Sequence, residues 1–164
     1  MRNDMKRICL FVLLAGMMQL SVCAQKGLHT NEVFENVKKN EVVQTIVKGR
    51  QLSKYKLTYF RSIKFKASEE EHKHIEELVR EDMENACDLE MGIHDNLNGA
   101  LDYAIMILPP EIVDKTSTNG HEELYYLCYQ CVKKDEQSYA ITLVFMKGTA
   151  TMKELSKTFK REEK

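Results

Sequence analysis

Residues 123–147 read ELYYLCYQCVKKDEQSYAITLVFMK, two alternating apolar and tyrosine-rich runs separated by the polar tetrad Lys134, Asp135, Glu136 and Gln137. Neighbouring side chains on a strand point to opposite faces, and two such runs around a short polar segment read as a β-hairpin. The stretch therefore predicts antiparallel strands over 123–133 and 139–147. Its tyrosines raise a second question, because Tyr125 and Tyr126 must face opposite ways. Either one face is an aromatic binding surface that includes Tyr125 and Tyr129, or a second layer covers it.

Reading outward, residues 100–108 form a third alternating run, closed by Pro109 and Pro110, which cannot donate ladder hydrogen bonds. Residues 111–121 read as a loop. Upstream, the β-branched run Val42, Val43, Thr45, Ile46 and Val47 predicts a strand ended by Gly49, and residues 57–65 predict another. In the latter, Leu57, Tyr59, Ile63 and Phe65 share a face, and Arg61 points with them. Ser68 and Glu71 then form a capping box, the start signal of a helix. Ile75, Leu78, Val79, Ala86 and Leu89 fall within one helical arc, which predicts a helix reaching about Met91 and stopped by Gly92. Asp82 lies inside that arc. Thr151 and Glu154 repeat the capping pattern before the stripe Met152, Leu155 and Phe159, and Val33, Phe34 and Val37 fit a short helix behind Asn31. The expected fold is α+β, a mostly antiparallel sheet of about five strands with the long helix and the short C-terminal helix on one face.

The first residues carry a different kind of signal. Arg2, Lys6 and Arg7 precede an uncharged run from Ile8 to Met18, too short for the roughly 20 residues that a membrane-crossing helix needs. It fits a signal peptide over 1–24, with Val22 and Ala24 at the small-residue cleavage positions and periplasmic or secreted delivery of a single domain, 25–164. The competing reading acylates Cys23 as a lipoprotein, but Val22 stands where a small residue normally precedes the cysteine. No transmembrane segment is expected in the mature chain.

The whole chain carries a formal charge of −1, and the leader's three cations against Asp4 leave −3 for the remainder. That balance points away from nucleic acid and polybasic membrane contact, both of which need clustered excess cations. Lys48, Arg50, Lys54, Lys56, Arg61, Lys64 and Lys66 nevertheless form a basic block ahead of the acidic helix. The mature cysteines are Cys87, Cys128 and Cys131. Cys128 and Cys131, three apart on a strand, point to opposite faces beyond disulfide reach, so a bridge from Cys87 to one of them is easier.

Candidate chemistry is sparse. Asp82 and Arg61 are each a charge among apolar positions; they are expected to meet as an ion pair where helix packs on sheet, or to form a pocket in which Asp82 is a desolvated base. His72 and Glu76 have the four-residue spacing of helical metal ligands, although no third ligand is in view and a solvated face is the simpler reading. His29, His94 and His121 fall in expected loops. No nucleophile elbow, phosphate loop, zinc-binding H-E-x-x-H or dinucleotide fingerprint occurs, so no cofactor is expected.

The segments 55–65 (YKLTYFRSIKF), 101–110 (LDYAIMILPP), 124–130 (LYYLCYQ) and 144–155 (VFMKGTATMKEL) resemble a family of small exported domains of unknown function from gut bacteria with two membranes. The resemblance implies an envelope or secreted location and assigns no activity to any residue. Two functions follow as expectations. One is a non-catalytic envelope module binding protein or glycan through the aromatic face or the acidic helix; the other is a small periplasmic enzyme using Asp82.

Overall fold

The computed structural model describes residues 27–36, 42–93, 99–113, 123–135 and 137–159. The leader, Cys23, Val37, His94 and His121 lie outside the described residues. The elements are α1 (Asn31–Asn36), β1 (Val43–Lys48), a 3-10 helix (Arg50–Tyr55), β2 (Leu57–Ser68), α2 (Glu69–Glu84), β3 (Asp88–Ile93), β4 (Leu101–Leu108), α3 (Pro110–Val113), β5 (Leu124–Lys133), β6 (Ser138–Gly148) and α4 (Met152–Phe159). The strands form one sheet in the order β1-β2-β6-β5-β4-β3 with every pairing antiparallel. The β5–β6 hairpin lies at its centre.

The expected five strands are six, because the helix ends at Glu84 rather than near Met91 and residues 88–93 pair with β4 instead. Leu89 and Met91 fit a helical arc and a strand alternation equally well, and a short apolar run does not distinguish the two. Gly92 has another role than stopping a helix: a Cβ there would lie 2.4 Å from the Tyr103 ring, its cross-strand partner on β4. The segment expected as a loop begins with the single turn α3.

Helices cover both faces of the sheet, not one. On the first, α1 and α2 bury Phe34, Ile75 and Val79 against Ile63, Tyr125, Leu127, Tyr129 and Phe145. On the second, the 3-10 helix and α4 set Leu52 and Leu155 against Tyr126, Cys128, Val144 and Met146. The physical cause is visible in β5, which is apolar at odd and even positions alike and so needs two covers. A register irregularity between Leu57 and Tyr59 sends Leu57 to the second face, apart from the Tyr59 set with which plain alternation grouped it. All three described cysteines are unbridged: Cys128 and Cys131 are buried in opposite core layers, and Cys87 is exposed.

Both capping boxes are present. The Glu71 amide donates to Ser68 Oγ at 3.3 Å and the Ser68 amide to Glu71 Oε2 at 2.8 Å. Glu154 takes the Thr151 amide at 2.9 Å and, from across the chain, Lys56 Nζ at 2.6 Å. The Lys56 hydrogen bond, ahead of those from Thr151, holds the Glu154 carboxyl down to about 2 from 4.5. A folded-state value below the unfolded one means that the contribution is complete above pH 4.5 and disappears as the pH falls towards 2. A carboxyl-carbon NMR titration of Glu154 is expected to show a midpoint near 2; one near 4.5 would mean that the Lys56 contact is absent in solution.

Candidate functional site

Gly49, at φ 81°, ends β1, and the 3-10 helix carries the chain back across the second face of the sheet to Lys56. Lys56 itself has φ 58°, the one positive-φ residue other than glycine among the described residues. An L-residue there costs roughly 1–2 kcal/mol, so the surroundings must hold it. They do so from three directions. Its amide donates to Ser53 O at 3.0 Å, its carbonyl accepts from the Thr149 amide at 2.8 Å, and its Nζ reaches Glu154.

Between the 3-10 helix, the β1–β2 pair and α4 this arrangement leaves a cleft of about 490 Å3. Its walls are Val47, Leu52, Leu57, Phe60 and Leu155; its rim carries Lys54, Lys56, Glu154, Lys157 and Thr158. A concavity of this size, apolar inside with few polar groups at its edge, has the form of a small-molecule site. Lys54 Nζ stands 4.7 Å from the ring centroid of the exposed Tyr55 beside it.

Asp82 and Arg61 have a different task. Asp82 is 2% exposed, and its carboxylate accepts from the His29 amide at 2.8 Å, the Thr30 amide at 3.1 Å and Thr30 Oγ1 at 2.6 Å. It caps the start of α1, where free amides and the helix dipole favour a negative charge. Arg61 Nη2 donates to Phe34 O at 2.9 Å and its guanidinium carbon lies 5.1 Å from the Phe34 ring centroid. The expectation that these charges meet each other is thus corrected: what they share is α1, held by Asp82 at its start and by Arg61 near its end. Neither residue lines the cleft.

His72 is 4% exposed, which corrects the solvated-face reading; it stacks on Tyr139 with centroids 4.1 Å apart and planes 7° from parallel. Its Nε2 lies 3.5 Å from Glu76 Oε2 without a hydrogen bond. Burial, outweighing Glu76, lowers its pKa and favours the neutral ring. Among the described residues no group of three or more His, Cys, Asp or Glu is placed to hold a metal ion. The adjoining concavity, about 540 Å3, is lined by two ion pairs, Glu69 with Lys73 at 2.7 Å and Glu76 with Arg80 at 2.5 Å, together with Glu77, Tyr139 and Lys133, whose Nζ lies 5.8 Å from the Tyr139 ring centroid.

Tyr125 and Tyr129, expected at a binding surface, are each 1% exposed and belong to the core under α2. Among the described residues the exposed large apolar side chains are instead Val43, Ile46, Tyr55, Leu89, Met91 and Ile93, on the edge strands and the 3-10 helix. No described helix is long and apolar enough to cross a membrane.

A family model described as "Family of unknown function (DUF6108)" matches residues 17–159. The chain belongs to this family. No curated protein and no solved structure matches it. In this DUF6108 member the cleft escaped the sequence reading because its walls come from segments about a hundred positions apart, Val47 to Phe60 and Leu155. One local signal was there: Leu52, an apolar residue amid the polar stretch from Gly49 to Lys56, is buried at 6%.

Proposed function

We propose that this protein is exported to the cell envelope, with its leader removed after Ala24, and acts there as a non-catalytic binding module whose cleft receives the apolar part of its ligand. The observation that carries the reading is the cleft itself, which offers about 490 Å3 of space with aliphatic and aromatic walls, while Glu154 and Thr158 at its edge are engaged with Lys56 Nζ and the Glu154 carbonyl. Support for the location is the charged start and short apolar run of residues 2–18. Glycan binding fits the walls poorly, because sugar hydroxyls need paired donors and acceptors where Val47, Leu57 and Phe60 stand. An enzyme built on Asp82 would need that carboxylate at a cavity, whereas both its oxygens are occupied beneath α1.

The sequence contains no tryptophan, so a Val47→Trp variant both fills the cleft and reports on it. The unmodified protein is expected to bind the fluorescent apolar probe N-phenylnaphthylamine saturably, one molecule per chain. Val47→Trp should abolish that binding at an unchanged melting temperature. Equal binding by the two proteins would remove the cleft from consideration.

A further inference from the structure

We infer that the ligand is a single-chain amphiphile with an anionic head, its tail against the cleft walls and its head between Lys54 and Lys157. The inference rests on the reading of the cleft as the binding site and adds the chemistry of what fills it. The rim carries three lysines and one carboxylate, Glu154. Lys56 and Glu154 neutralise each other at 2.6 Å. That leaves Lys54 and Lys157, neither of which has an ion-pair partner among the described residues. Two cations at the mouth of an apolar cleft, without an ion-pair partner among the described residues, complement an anion attached to an apolar chain.

The division of labour follows from the solvent each part meets. A tail leaving water gains by its buried area, and the aliphatic walls ask no hydrogen bond of it. A charged head would be costly to bury, but the lysines stand at the rim, where it keeps its hydration and still feels both charges. An uncharged head forgoes that attraction, and a cationic head is repelled. Lys56, fixed in its left-handed conformation, holds the floor at Leu57 and leaves the outer lysines to the ligand.

The test is isothermal titration calorimetry of the full mature chain at low salt with decanoate, decanol and decyltrimethylammonium. Decanoate is expected to bind one per chain, roughly tenfold tighter than decanol, with the cation weaker still. In a Lys54→Gln, Lys157→Gln variant, decanoate should fall to the affinity of decanol while decanol itself is unchanged. Decanol binding as tightly as decanoate, or decanoate indifferent to the two substitutions, would overturn the anionic head and leave the cleft reading standing. Failure of all three to bind would sink both. A decyl phosphate arm identifies the head: tighter than decanoate marks a phosphate, weaker marks a carboxylate, and either order supports the proposal.

Discussion

Replacing Gly148 with alanine is expected to destabilise the protein by about 3 kcal/mol, at the upper end of what overpacking usually costs. A Cβ at this position would lie 2.2 Å from Lys56 O and 2.7 Å from Leu57 Cα. Both are backbone atoms, so relief requires β2 and β6 to separate rather than a side chain to swing away. Separation would stretch the pairing of Leu57 with Gly148 and the hydrogen bond from the Thr149 amide to Lys56 O. It would also disturb the buried Tyr126 hydroxyl, which donates to Gly148 O at 3.2 Å and Ala150 O at 2.7 Å. Because Lys56 and Leu57 line the cleft, ligand affinity should fall with stability. Gly49→Ala separates strain from crowding: apart from its chain neighbours no atom lies within 4 Å of its Cβ, and what opposes it is a backbone conformation (φ 81°, ψ −151°) that costs an L-residue about 1–3 kcal/mol without touching β2 or β6. Thermal unfolding measures the losses and probe binding separates the two variants: Gly49→Ala should keep the cleft, whereas a Gly148→Ala protein with an unchanged melting temperature would contradict the close approach.

Asp82→Ala is expected to cost about 3 kcal/mol, a fall in melting temperature of roughly 10 °C for a domain of this size. The substitution removes three hydrogen bonds to a buried charge and leaves the amides of His29 and Thr30 without an acceptor at the start of α1. The loss should be local as well as global. Amide exchange at His29 and Thr30 should accelerate far more than at Tyr126 or Phe145 in the sheet. Asp82→Asn keeps one acceptor oxygen and should fall between the two. An Asp82→Ala protein with an unchanged melting temperature and unchanged exchange at residues 29–30 would contradict the capping role. Binding in the cleft should survive this substitution, since Asp82 stands beneath the opposite face of the sheet.

What could be read from the sequence depended on how local the signal was. The hairpin over 124–148, both capping boxes and the prolines closing β4 depend on neighbours within a few positions, and each is present. Asp82 stood out as a charge in an apolar arc, and its burial follows from that position. Its partners did not, because they are backbone groups 52 and 53 positions away. Leu89 and Met91 satisfied two periodicities at once, so the sixth strand was hidden inside an apparent helix. The buried tyrosines illustrate a related limit: alternation told which face Tyr125 and Tyr129 take, whereas the cover over that face comes from α2, residues 69–84. The cleft was least legible, since it depends on where the 3-10 helix and α4 are set down on the sheet.

The most direct test of the cleft as the binding site is methyl NMR of the mature chain titrated with decanoate. Saturable shifts are expected at Leu52, Leu57 and Leu155, with Val43, Leu89 and Ile93 on the edge strands unmoved. Shifts confined to those edge residues, with the cleft methyls silent, would contradict the proposal and place binding on the exposed rims of the sheet.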